Sequence, residues 1–250
     1  TVKVIDQKIT NDYAMYHGDC VHVLRGLPDN SLHCSITSWP FPGMWVYSDS
    51  KYDMGNVTSI EEMLEQCRFM AIEQLRCMVP GRSVFVHLTQ GVAQKLRDGY
   101  IGLKDLRGPS IKMMEEVGFD YYGEITIDKN PQIKSIRTRD AGLAFKSLVS
   151  DSARMHSSMS DFVLHFRKPG DNPLPIKAGA ANKKYGDADG WVTAEQWILW
   201  ARPVWYGQDY LPGTSNNGMT TGTTCPNNIG IRETDTLSTI TAKDVQDEKH

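Results

Sequence analysis

What this sequence lacks narrows it first. In 250 residues no apolar run approaches the roughly 20 that a membrane-crossing helix needs. The opening TVKVIDQKITNDY has neither the basic start nor the apolar centre of a secretory signal. Both absences point to a cytoplasmic protein with no membrane partner. Five cysteines, Cys20, Cys34, Cys67, Cys77 and Cys225, are scattered without a CxxC pair or a Cys/His cluster at zinc spacing, so neither a disulfide framework nor a metal site is expected. The formal net charge of −3 provides no global attraction for a polyanion, and any nucleic-acid surface must come from local asymmetry. No internal repeat is present.

What is there is enough for a core: 40% of residues are hydrophobic and 23% charged, at a length that fits one large domain or one with an inserted subdomain. The first forty residues alternate as strand, helix, strand. DYAMYH is strand-like, DCVHVLRGL places Val21, Leu24 and Leu27 on one helical face, PDN is a turn, and SLHCSIT is a second strand. That rhythm predicts an α/β protein, whose binding residues gather at the C-terminal ends of parallel strands. The stretch Ser38-Trp39-Pro40-Phe41 is such an end. A loop rich in Pro, Gly, Asp and Ser follows to Thr58, and a helix opens on a capping box of Ser59 and Glu62. Its apolar face carries Met63, Leu64, Cys67, Met70, Ala71 and Leu75, and it is expected to end before Pro80-Gly81. SVFVHL then reads as a buried strand, SIKMMEEVG as a helix closed by Gly118, and FDYYGEITIDKNP as a further strand.

From Lys129 to Lys168 eight Lys or Arg stand against three acids, an excess of five positive charges in an acidic chain. SDFVLHFRKPG returns to the core pattern. A Trp-bearing helix capped by Thr193 and Gln196 follows, then a polar, turn-rich segment. The predicted organisation is a catalytic α/β core over 1–128, a basic target-recognition region over 129–158, a return to the core over 159–206, and a loop-rich C-terminal segment over 207–250. His87 in VFVHL reads as a hydrogen-bonded core residue, and Trp191, Trp197, Trp200 and Trp205 read as packing.

At a strand end, a serine hydroxyl and the next backbone carbonyl can both accept hydrogen bonds from an exocyclic amino group, while a nearby aromatic stacks on the ring that bears it. The amino nitrogen of adenine or cytosine is a poor nucleophile because its lone pair is delocalised into the ring. Two acceptors that rehybridise it expose that lone pair to an electrophilic methyl. The run GDCVHVLRGLPDNSLHCSITSWPF, about twenty-four residues in order, resembles the opening of amino-directed (N6-adenine or N4-cytosine) DNA methyltransferases of the permuted class whose catalytic motif comes first. The resemblance implies a Rossmann-like α/β fold that uses S-adenosylmethionine, incomplete at its C-terminal side, with an inserted DNA-recognition region. It implies that Ser38 and the Trp39 carbonyl accept the target amino hydrogens, that Phe41 stacks on a flipped base and that Pro40 stiffens the loop. Gly18, Asp19 and Cys20 would lie at the adenosyl edge of the cofactor pocket. Lys129, Lys134, Arg137, Arg139, Lys146 and Arg154 would contact duplex DNA, phosphates first. A serine in the first motif position leans toward cytosine N4 by family analogy, and a role in restriction-modification is implied.

Two departures bear on activity. The family has proline where this sequence has Trp39, whose indole must leave the pocket or occupy the base's place. The aromatic-x-Gly-x-Gly cofactor loop expected after a closing block like DEKH is absent from these residues, which are therefore expected to bind the cofactor weakly or not at all. The alternatives are a truncated or catalytically impaired DNA-binding module that needs a missing segment, a homodimer or a complementing chain, and an unrelated α/β protein with a chance match. Asp19 has a second reading too, as a helix N-cap with no ligand.

Overall fold

The computed structural model describes residues 4–42, 48–50, 53–130, 159–173, 175 and 194–206. Its centre is a five-stranded sheet in the order β3-β4-β8-β7-β9. The strands are β3 (Leu32–Ser38), β4 (Met78–Thr89), β7 (Asp120–Ile127), β8 (Asp161–Arg167) and β9 (Val204–Trp205). β3 runs parallel to β4 and β9 parallel to β7, while β8 lies antiparallel between β4 and β7. The C-terminal ends of β3, β4 and β7 therefore meet the start of β8 at one end of the sheet.

Alternation along the strands separates two faces. Val84, Val86 and Leu88 of β4 and Leu164 and Phe166 of β8 are buried, and they share a core with Met63, Cys67, Met70 and Ala71 of α2 (Ile60–Cys77) and Met113 and Met114 of α4 (Arg107–Val117). Each of the Val, Leu, Phe and Met side chains contributes about 1.5–3 kcal/mol by leaving water. On the other face Phe85, Val163 and His165 are only half-buried, and Ile36 of β3 is 41% exposed.

Local signals explain the helices. Ser59 accepts a hydrogen bond from the Glu62 N–H at 3.1 Å, starting α2 as its N-cap. Gly118, at φ 115°, closes α4 in the left-handed conformation. Gln90 starts α4 from outside, its Oε1 accepting from the N–H groups of Leu106 at 2.7 Å and Arg107 at 3.2 Å. Arg76 at the end of α2 donates to the carbonyls of Leu24 (2.8 Å) and Leu27 (3.0 Å) and pairs with Asp29 and Glu73. Those bonds fix α1 (Cys20–Arg25) and the turn before β3 against α2.

Several expectations change. DYAMYH does not enter the main sheet: β2 (Ala14–His17) pairs antiparallel with β1 (Asp6–Ile9) as a separate ribbon. Its strand-like pattern is real, but a second short strand just upstream satisfies its backbone first. β4 begins directly after α2 and runs through Pro80-Gly81, which a register irregularity opposite Leu32 and Cys34 accommodates. A small ribbon of β5 (Gly91–Ala93) and β6 (Gly102–Lys104), bracketing the short α3 (Lys95–Asp98), fills the connection to α4. In α5 (Ala194–Trp200; the fifth helix in chain order) Trp197 is 51% exposed, contrary to its reading as core, whereas Trp200 packs with Ile125 and Leu199 around Trp205. Thr193, Trp191 and residues 207–250 lie outside the described residues. No helix among the described residues is long and apolar enough to cross a membrane, and none of their His, Cys, Asp and Glu groups would hold a metal ion.

Candidate active site

Ser38 is the last residue of β3, opposite His87 in β4. Residues paired in register point to the same face, and Ser38 Oγ lies 3.0 Å from His87 Nδ1. On its far side the His87 ring meets Asp161, the first residue of β8, with Nε2 and Oδ2 3.1 Å apart. Lys129, just beyond β7, places its Nζ 3.1 Å from the same carboxylate oxygen. The side chains of Asp161 and Lys129 are 7% and 9% exposed. Four strands thus supply a continuous polar row, Ser38, His87, Asp161 and Lys129, across the end of the sheet. The Phe41 ring stands edge-on to the His87 ring at 6.2 Å.

The protonation pattern follows from the charges. A carboxylate beside an ammonium can only accept, so His87 Nε2 carries the proton that faces Asp161. With Nε2 as the donor to Asp161, the ring presents Nδ1 to the Ser38 hydroxyl as an acceptor. Both lone pairs of Ser38 Oγ are then left for an incoming donor.

Serine, histidine and aspartate at these distances also invite comparison with a hydrolase nucleophile. Such a site needs backbone N–H donors for the oxyanion, commonly from the residue after the nucleophile. Here the Trp39 N–H is spent on the His87 carbonyl at 3.3 Å, and Pro40 has no N–H. The site is built to accept hydrogen bonds rather than to stabilise an oxyanion.

The strand alternation also settles where the Trp39 indole goes. Ser38 faces the open side, so Trp39 faces the helices; it is 1% exposed, within the core that holds Val57 and Met63. Its Nε1 has no hydrogen-bond partner among the described residues, a penalty of about 1–3 kcal/mol. The indole therefore does not fill the space beside Ser38.

The structure brings Ser38, Phe41 and Lys129 to one place, and it adds His87 and Asp161. Gly18, Asp19 and Cys20 are joined to this row by no hydrogen bond, ion pair or ring contact among the described residues. Asp19 is the N-cap of α1, its Oδ1 accepting from the His22 N–H at 2.9 Å, while Oδ2 has no partner among the described residues. Lys129 is turned inward onto Asp161, away from the solvent-facing pose of a phosphate contact. Lys134, Arg137, Arg139, Lys146 and Arg154 lie outside the described residues. The sequence reading of His87 as a hydrogen-bonded residue holds, but it did not connect His87 or Asp161 with Ser38. The available signal was a polar residue at the end of each of two apolar strands, VFVHL and DFVLHF, at the same end as Ser38.

No family profile matches the chain, and no curated protein does. Solved structures do. TTHA0409 of Thermus thermophilus, whose name reads "Putative DNA Modification Methylase", superposes with a TM-score of 0.51 at 18% identity over 76% of this chain and 65% of that one. The same protein complexed with S-adenosyl-L-methionine gives a TM-score of 0.53 at 19% identity, covering 78% and 68% of the two chains. The PvuII cytosine-N4-specific DNA methyltransferase aligns at a TM-score of 0.45 and 19% identity over 69% and 60% of the chains, too loosely to argue from. The present chain thus has the Rossmann-like α/β fold of TTHA0409 and spans a little under two thirds of its length in the first of these superpositions.

Proposed function

We propose that this protein is a DNA methyltransferase that acts on the exocyclic amino group of cytosine (N4) or adenine (N6) in duplex DNA, with S-adenosylmethionine as donor. The observation that carries the reading is the Ser38 hydroxyl at a strand end, 3.0 Å from His87 Nδ1, with the Phe41 ring edge-on to the same imidazole. That is an acceptor for an amino group, on a fold shared with a structure that was solved with S-adenosyl-L-methionine. The order of motifs, with the catalytic strand near the start, agrees with the permuted class.

In this reading a flipped base lies against Phe41, and Ser38 Oγ accepts one amino hydrogen while the Trp39 carbonyl accepts the other. The two bonds pull electron density onto the nitrogen and hold its lone pair out of the ring plane. Pro40 limits the freedom of the loop that carries both acceptors. Burial of the Trp39 indole on the helix side, away from Ser38, supports the reading. At the adenosyl edge of the cofactor, Asp19 keeps one carboxylate oxygen for ligand hydroxyl or amine hydrogens, which supports its assignment there, while Gly18 and Cys20 are assigned on the resemblance alone. When bound, S-adenosylmethionine supplies the electrophilic methyl. The basic residues Lys134, Arg137, Arg139, Lys146 and Arg154 are assigned to the DNA backbone on charge alone.

The test is transfer of labelled methyl from saturating S-adenosylmethionine to random-sequence duplex DNA, followed by digestion to nucleosides. Label on N4-methylcytosine or N6-methyladenine is expected. Label on a ring carbon, or on no base at all, refutes the reading.

A further inference from the structure

The site reading above explains how Ser38 binds an amino group but not what keeps its hydroxyl from turning the other way. A serine hydroxyl is both donor and acceptor, and a free one would serve a carbonyl oxygen as readily as an amino hydrogen. We infer that His87 is a positioning residue that sets base selectivity: through Asp161 and Lys129 it is locked as the Nε2–H tautomer, which claims the Ser38 proton and makes the site select bases with an amino group over those with a carbonyl at the same ring position. This inference rests on the methyltransferase reading of the same site for its biological meaning, though not for its measurement.

The geometry is a chain of forced choices. Lys129 Nζ at 3.1 Å keeps the Asp161 oxygen an acceptor. Asp161 at 3.1 Å makes His87 Nε2 the donor. The ring then presents Nδ1 as an acceptor to Ser38, 3.0 Å away. No other side chain among the described residues hydrogen-bonds to Ser38 Oγ. The Phe41 edge, at 6.2 Å from the His87 ring, supplies no competing donor or acceptor. Cytosine and uracil differ at this position by the exchange of an amino group for a carbonyl, as do adenine and hypoxanthine. The acceptor-only state of Ser38 pairs with the first of each and leaves two acceptors facing each other with the second. A mismatched pair of acceptors in a desolvated site costs about tenfold or more in affinity.

Two measurements on the full chain decide it. Nitrogen-15 shifts of the histidine rings in the free protein read the tautomer directly; the expected result is a protonated Nε2 and a bare Nδ1 on His87, and a protonated Nδ1 overturns the inference whatever the variants do. Binding is then compared for two duplexes that carry an unpaired cytosine or an unpaired uracil in an otherwise identical sequence. The native protein is expected to favour cytosine by about tenfold, and His87→Leu to bind both with a smaller preference, the part that the Trp39 carbonyl alone supplies; an unchanged preference in the variant overturns the inference. Equal binding of the two by the native protein, including binding of neither, overturns it. A native protein with the expected tautomer and preference but no methyl transfer would leave this inference standing and refute the methyltransferase reading alone.

Discussion

The two faces of the central sheet are made from the same strands and serve opposite ends. On the helix side Val84, Val86, Leu88, Leu164 and Phe166 are buried against α2 and α4, and Trp39 joins them. On the other side the neighbouring residues of the same strands are Ser38, Phe85, His87, Asp161, Val163 and His165, and they are polar, aromatic or half-exposed. Stability is concentrated on the first face and the proposed chemistry on the second. The division falls inside the four-residue motif itself, because Ser38 points to one side and Trp39 to the other. A substitution at Trp39 thus tests folding, whereas one at Ser38 tests function.

Substitutions on the helix side sharpen that contrast most. Trp39→Ala is expected to cost about 3–5 kcal/mol in urea denaturation, by lost burial and an unfilled cavity. Trp39→Phe should cost clearly less, because it removes an indole N–H that has no partner among the described residues. If the two cost the same, the unpartnered Nε1 is not a liability. Leu164→Ala should cost about 2–5 kcal/mol, and Val163→Ala, its neighbour on the open face, less than about 1 kcal/mol. Equal losses at the two positions would break the comparison of the faces. Gly118→Ala should cost about 1 kcal/mol, since the residue sits at φ 115° and a Cβ would stand 3.2 Å from Leu75 Cδ2.

The smallest expected effect lies outside both faces. At the end of α3, Asp98 is held at about 2 by its hydrogen bonds to Lys104, the Gln94 N–H and Arg97. A carboxyl lowered on folding adds stability above its unfolded value and loses it as pH falls through the folded one. Asp98→Asn should therefore narrow the gap from the native protein between about pH 4 and pH 2. A gap that stays constant down to pH 2 would show that these contacts do not persist in solution.

Much of the fold was legible because local rules and global packing agree. The N-cap at Ser59, the C-cap at Gly118 and the apolar spacing of α2 each act within a few residues and survive into the structure, while the reciprocal bond of the expected capping box, from the Ser59 N–H to the Glu62 side chain, is not formed among the described residues. The first strand was misplaced because a strand pattern does not name its partner: DYAMYH found β1 instead of the main sheet. Pro80-Gly81 did not end β4 because a bulge absorbed them, and a bulge depends on the neighbouring strand. The site was half legible. Ser38 and Phe41 stand in a contiguous motif, but His87 is 49 residues and Asp161 is 123 residues from Ser38 along the chain, and only the strand order unites them.

The central claim is that Ser38 acts as a hydrogen-bond acceptor for an amino group that receives a methyl. Its most direct test is labelled methyl transfer to duplex DNA by the native protein and by Ser38→Ala, with urea denaturation of both. The account predicts a loss of transfer of about a hundredfold or more in the variant, with stability changed by less than about 1.5 kcal/mol. Undiminished transfer by a folded Ser38→Ala protein would contradict it.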